Sequence, residues 1–100
     1  MTQPGTYQLV EAPGALAVSG ALTFATAVSA LAAGRAALER GKPATLDLAG
    51  VTQADSAGLA TVLALLAHAA QKGSAMKVAN APVGLEALAR VSGVSTLIDM

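Results

Sequence analysis

Runs of residues that repeat every two positions alternate along this chain with runs that repeat near 3.6, and that alternation narrows its possible folds more than any other feature. Thr45-Leu46-Asp47-Leu48-Ala49 alternates polar and apolar side chains over a strand's length, with Gly50 marking its end. A helix then begins near Ala57 or Gly58, in which Leu59, Val62, Leu63, Leu66 and Ala70 recur at helical spacing until Lys72 and Gly73 close it. Upstream, Tyr7 to Glu11 and Ala15 to Ser19 are alternating runs joined by Ala12-Pro13-Gly14, which is hairpin chemistry. Thr23 can cap a helix carrying Phe24, Val28, Leu31 and Leu38, weakened at Gly34 and stopped by Gly41-Lys42-Pro43. Downstream, Met76 to Ala79 reads as a strand, and Pro82 opens a helix with Val83, Leu85, Leu88 and Val91 that Gly93 ends. Leu97-Ile98 reads as a last short strand. A hairpin followed by helix and strand in turn predicts an α/β fold, with a mixed, partly parallel sheet packed with helices.

A chain of 100 residues supports one domain over its whole length, residues 1–100. The hydrophobic fraction is 54%, but about a quarter of the residues are Ala and only Tyr7 and Phe24 are aromatic, so the core must be close-packed Leu, Val and Ala. Without cysteine there is no disulfide scaffold, zinc ribbon or thiol nucleophile. Six basic residues, Arg35, Arg40, Lys42, Lys72, Lys77 and Arg90, are scattered and balanced by six acids, which excludes the basic stripe and base-stacking aromatics of a nucleic-acid binder. Met1-Thr2-Gln3-Pro4-Gly5 carries no secretory pattern. The most apolar stretch, Ala57 to Ala70, contains Thr61 and His68 and falls short of the ~20 residues that cross a bilayer. Near-zero charge with many apolar residues favours association with a protein partner.

Catalytic equipment is missing in specific ways. No phosphate-binding loop, dinucleotide fingerprint or H-E-x-x-H helix occurs. His68 follows Ser56 by twelve residues, about 18 Å along a helix, too far for a nucleophile and its base. It reads as a polar residue on the solvent face. Glu11, Glu39, Asp47, Asp55, Glu86 and Asp99 form no close pair and no metal-ligand spacing. Asp47 interrupts an apolar strand; an uncovered sheet face fits it better than burial, which costs several kcal/mol without partners. The expectation is a non-enzymatic protein with no cofactor and no metal. An Ala-rich core leaves little volume for a lipid cavity.

The segment from Leu46 to Ala60 resembles the signature of STAS domains, named for sulfate transporters and anti-sigma factor antagonists. In that family a strand with Asp-Leu-x-x-Val, here Asp47-Leu48-Ala49-Gly50-Val51, leads through Asp-Ser/Thr-x-Gly-Leu, here Asp55-Ser56-Ala57-Gly58-Leu59, into an amphipathic helix. The hairpin and the later β–α units fit as well, so the likeness spans nearly the whole chain and implies the SpoIIAA-like fold. Leu22-Thr23-Phe24 and the Ala/Leu-rich second helix are similar to the MlaB-like branch of the family. That resemblance implies a cytoplasmic, non-catalytic subunit of an ABC-type phospholipid transport system that maintains outer-membrane lipid asymmetry. Such a subunit binds and supports the ATPase, is held at the inner membrane through that partner and indirectly its permease, and does not bind ATP. The alternative within the family is an anti-sigma factor antagonist, whose partner is a serine kinase-like anti-sigma factor. There the phosphorylated residue directly precedes the motif glycine; Ala57 holds that place and cannot accept a phosphate.

Either Ser56 or Asp55 can serve as the N-cap of the second helix. With Leu59, Val62, Leu63, Leu66 and Ala70 buried, the opposite stripe reads Thr61, Leu65, His68 and Lys72, and Leu65 is its apolar misfit. It is either ordinary surface or the anchor of a docking face beside small side chains. The expected partner-binding set is Asp55, Ser56, Ala57, Gly58, Ala60, Thr61, Ala64 and Leu65.

Overall fold

The computed structural model describes residues 6–98. In chain order the elements are β1 (Tyr7–Ala12), β2 (Ala15–Leu22), α1 (Ala27–Arg40), β3 (Thr45–Ala54), α2 (Ser56–Gln71), β4 (Lys77–Ala79), α3 (Val83–Val91) and α4 (Ser95–Ile98). The sheet order is β1-β2-β3-β4, antiparallel in the opening hairpin and parallel for the other two pairs. The mixed α/β architecture is therefore as the periodicities predict. Gly14 takes a positive φ of 74° in the hairpin turn, a conformation glycine adopts without penalty.

The pleat divides the sheet into a covered and an open face. Leu16, Val18, Leu46 and Leu48 join Ala30, Ala37 and Leu38 of α1, Leu59, Val62, Leu65 and Ala69 of α2, and Leu85 and Ala89 of α3 in one buried cluster. Ala15, Ala17, Thr45 and Asp47 occupy the opposite face and are half-buried. Asp47 lies there as expected. Its carboxylate accepts from Asn80 Nδ2 and from the Ala49 amide, both at 3.0 Å, and these bonds, Asn80's first, hold its pKa below the usual aspartate range.

Five local expectations need correction. β3 does not stop at Gly50 but runs on to Ala54, because its pairing with β2 shifts register after Ala17, and Gly50 lies where a Cβ would meet Ser19. α1 starts three residues later than the apolar repeat suggests: residues 23 to 26 form a turn that holds Phe24, 84% exposed, and Val28 in the first turn of α1 is 85% exposed. Leu97-Ile98 belongs to the short helix α4, with Ile98 buried against the core. Leu65 is 3% exposed and points at α1, where Gly34 leaves room for it: a Cβ on Gly34 would sit 2.6 Å from Leu65 Cδ2. The glycine that weakens α1 as a helix thus lets α2 approach it. His68, expected in solvent, lies instead in the same seam with Nε2 3.0 Å from Glu39 Oε2, while Lys72 Nζ is 3.0 Å from Glu39 Oε1. The Lys72 bond and then the His68 bond lower the Glu39 pKa.

Candidate functional site

The site forms where α1 and α2 begin, at the end of the sheet reached by β2 and β3. Asp55 is the N-cap of α2 in extended conformation, and its Oδ1 accepts from the Gly58 amide at 3.0 Å. Its other oxygen, Oδ2, accepts from the Phe24 amide at 3.0 Å, and the Asp55 amide donates to the Leu22 carbonyl at 3.3 Å. One carboxylate therefore joins the turn before α1 to the first turn of α2. These amide bonds, Phe24's first and then Gly58's, hold the Asp55 pKa below its ordinary value.

Two further residues fix the turn. Thr26 is buried; its Oγ1 donates to the Ala21 carbonyl at 2.8 Å and accepts from the Thr23 amide at 3.0 Å. Gly58 is buried where α2 meets the end of β2, so close that a Cβ there would overlap the Leu22 carbonyl oxygen. The motif's Asp and Gly are thus occupied with joining elements, and the surface they position belongs to their neighbours.

That surface is an open apolar groove of about 370 Å³ between the two helices. Phe24, Val28 and Leu31 form one wall, and Ala57, Ala60 and Ala64 form the other with the methyl-bearing Thr61 at its base. Val28 and Leu31 on α1, and Ala57, Ala60 and Ala64 on α2, recur at helical spacing, so the groove follows both helices, with Phe24 supplied by the turn before α1. Thr61 is 3% exposed and its hydroxyl donates to the Ala57 carbonyl at 2.9 Å, which removes its only polar group from the floor. Ser56 is exposed at the head of α2.

Of the eight residues expected to face a partner, Ser56 and Ala60 are exposed, and Ala57 and Ala64 line the groove half-buried. Asp55 is drawn into the clamp, Gly58 and Thr61 are buried, and Leu65 is turned away towards Gly34. The large apolar side chains come from α1 and the turn before it. Helical periodicity places Phe24 and Val28 on one repeat with Leu31 and Leu38; the signal that sets Phe24 apart is Thr23-Phe24-Ala25-Thr26, where the Thr26 hydroxyl closes a turn on the Thr23 backbone. Among the described residues no three His, Asp or Glu side chains come together to hold a metal ion. No helix there is long and apolar enough to cross a membrane.

The family model described as Mlab, STAS domain matches residues 6–99. Among solved structures, the fold is similar to that of the anti-sigma factor antagonist SpoIIAA in its unphosphorylated form, with TM-score 0.63 and 16% identity over 85% of this chain and 82% of that one. It is also similar to an anti-sigma factor antagonist from Mycobacterium paratuberculosis, with TM-score 0.72 and 20% identity over 99% of this chain and 88% of that one. At such identities the likeness establishes a shared fold. No curated protein matches the chain in sequence.

Proposed function

This chain belongs to the MlaB-like STAS domain family, and from that premise we propose that it is a non-catalytic subunit of an ABC-type phospholipid transport system, docking on the ATPase through the α1–α2 groove. The observation that carries the reading is the groove itself: Phe24 and Val28, more than four-fifths exposed, stand beside a wall of alanines with no charged side chain between them. Large apolar residues on such a surface supply anchoring area, and small ones opposite let a partner's helix approach closely. The ATPase then gains stability in whichever conformation fits the groove better, because a bound partner shifts an equilibrium only by differential affinity. The cytoplasmic face of the inner membrane is where such a subunit works.

A second reading, the anti-sigma factor antagonist, is favoured by the two similar structures, both described as such antagonists. Against it stands Ala57, whose methyl group occupies the place of the family's phosphorylated residue. Copurification from the protein's own cells in mild detergent, with bound chains identified by mass spectrometry, separates the two. The transporter reading expects an ABC ATPase with its permease; recovery of a serine kinase-like anti-sigma factor in their place contradicts it.

A further inference from the structure

The two edges of the sheet are built differently. β4 is three residues long, begins at Lys77 and stops at Asn80, whose φ of 59° turns the chain away. A short strand with a lysine is a guarded edge. β1 has six residues, Tyr-Gln-Leu-Val-Glu-Ala, with neither proline nor lysine, and its register against β2 runs unbroken from Tyr7–Gly20 to Ala12–Ala15. Its one charged side chain, Glu11, is held by Arg40 of its own α1 at 2.6 Å.

The hydrogen-bond parity of this edge is fixed. The Ala21 amide donates to the Thr6 carbonyl at 2.7 Å, and the hairpin closes on the Ala12–Ala15 pair. Even-numbered residues of β1 therefore bond to β2, and Tyr7, Leu9 and Glu11 turn their N–H and C=O groups outward. We propose that this outward edge is a self-association surface, along which two copies of the chain join their sheets antiparallel about Leu9.

The second copy fits because the outward set is symmetric about its own middle. Leu9 faces Leu9 of the other copy and Tyr7 faces its Glu11, so three opposed pairs exchange about six main-chain hydrogen bonds, two per pair. Sliding the register by two residues in either direction leaves Tyr7 or Glu11 without a partner. In the symmetric register Glu11 meets a tyrosine and not another carboxylate, so no like charges oppose. On the open face Gln8 comes beside Val10, which is 55% exposed in the single chain. None of these residues lines the α1–α2 groove, so the edge and the groove can be tested independently.

The test is sedimentation equilibrium of the full chain from micromolar to about millimolar concentration, with amide exchange followed by NMR across the same range. The mass is expected to rise from 9.7 kDa towards twice that value. Exchange at Tyr7, Leu9 and Glu11 is expected to slow at least tenfold as it does so. Leu9→Pro removes the central outward N–H while leaving the bonds to β2, and is expected to stay monomeric; should it fail to fold, the wild-type exchange profile alone decides. A monomer throughout, or a dimer whose exchange at those three amides does not change, overturns the proposal. So does an edge that becomes protected only when a different protein is added.

Discussion

Asp55 and Gly58 carry the local geometry, and each makes a separate prediction. The Asp55 carboxylate has a lower pKa in the folded protein than in the unfolded chain, because the Phe24 and Gly58 amides bond to its charged form. Its contribution is therefore complete above the ordinary aspartate range and lost as the pH falls through the lower folded value. Thermal melts of wild type should drop on acidification below roughly pH 4, and Asp55→Asn should flatten part of that slope while lowering stability at neutral pH. Gly58→Ala places a methyl against the Leu22 carbonyl oxygen and should cost about 1–3 kcal/mol or more in urea unfolding. Gly84→Ala, with nothing within 4 Å of the added carbon, should instead stabilise by less than about 1 kcal/mol. The sequence displayed Asp55 and Ser56 as competing caps because both side chains accept from backbone amides. What selects Asp55 is a second bond to Phe24, 31 residues away, which no local pattern reveals.

Among the elements, the opening hairpin and the first half of β3 were legible; the end of β3, the turn before α1, the last short helix and the rotation of α2 were not. In β2 and the first half of β3 the larger side chains alternate with alanines and polar residues, which fixes Leu16, Val18, Leu46 and Leu48 as the inward set. α2 has leucines or alanines around most of its circumference, so its apolar stripe lacks a polar counter-face to set its phase. Its fully buried arc passes through Leu59, Val62, Leu65 and Ala69, with Leu63 and Leu66 half-buried beside it and Ala70 exposed. Leu65→Ala should therefore behave as a core truncation, with a loss of about 2–5 kcal/mol and a cavity facing Gly34. A surface leucine would lose under about 0.5 kcal/mol, so urea unfolding of this one variant separates the two phases. On α1, Leu31 is half-buried and Leu38 is buried. Phe24 and Val28, on the same repeat, are exposed: Phe24 lies in the turn at residues 23 to 26, and Val28 faces away from the side of α1 that buries Ala30, Gly34 and Ala37.

For the whole molecule, the fold was readable from the order of strand-like and helix-like runs, and the family from two short motifs that sit at its joints. The groove was half legible: Ala57, Ala60 and Ala64 of α2 are in the expected set, whereas Phe24 of the turn before α1 and Val28 and Leu31 of α1 are not. The groove forms only where two segments separated by a strand meet, joined by the Asp55 carboxylate. The proposed docking of an ATPase in this groove is tested most directly by the affinity of that ATPase for Val28→Glu and for Val91→Glu. Val91 is an equally exposed valine, 88% against 85%, but lies on α3 outside the groove. Both variants are expected to melt within a few degrees of wild type, Val28→Glu to weaken binding at least tenfold, about 1.4 kcal/mol, and Val91→Glu to bind like wild type. Full affinity in Val28→Glu, or an equal loss in both, contradicts the proposed docking.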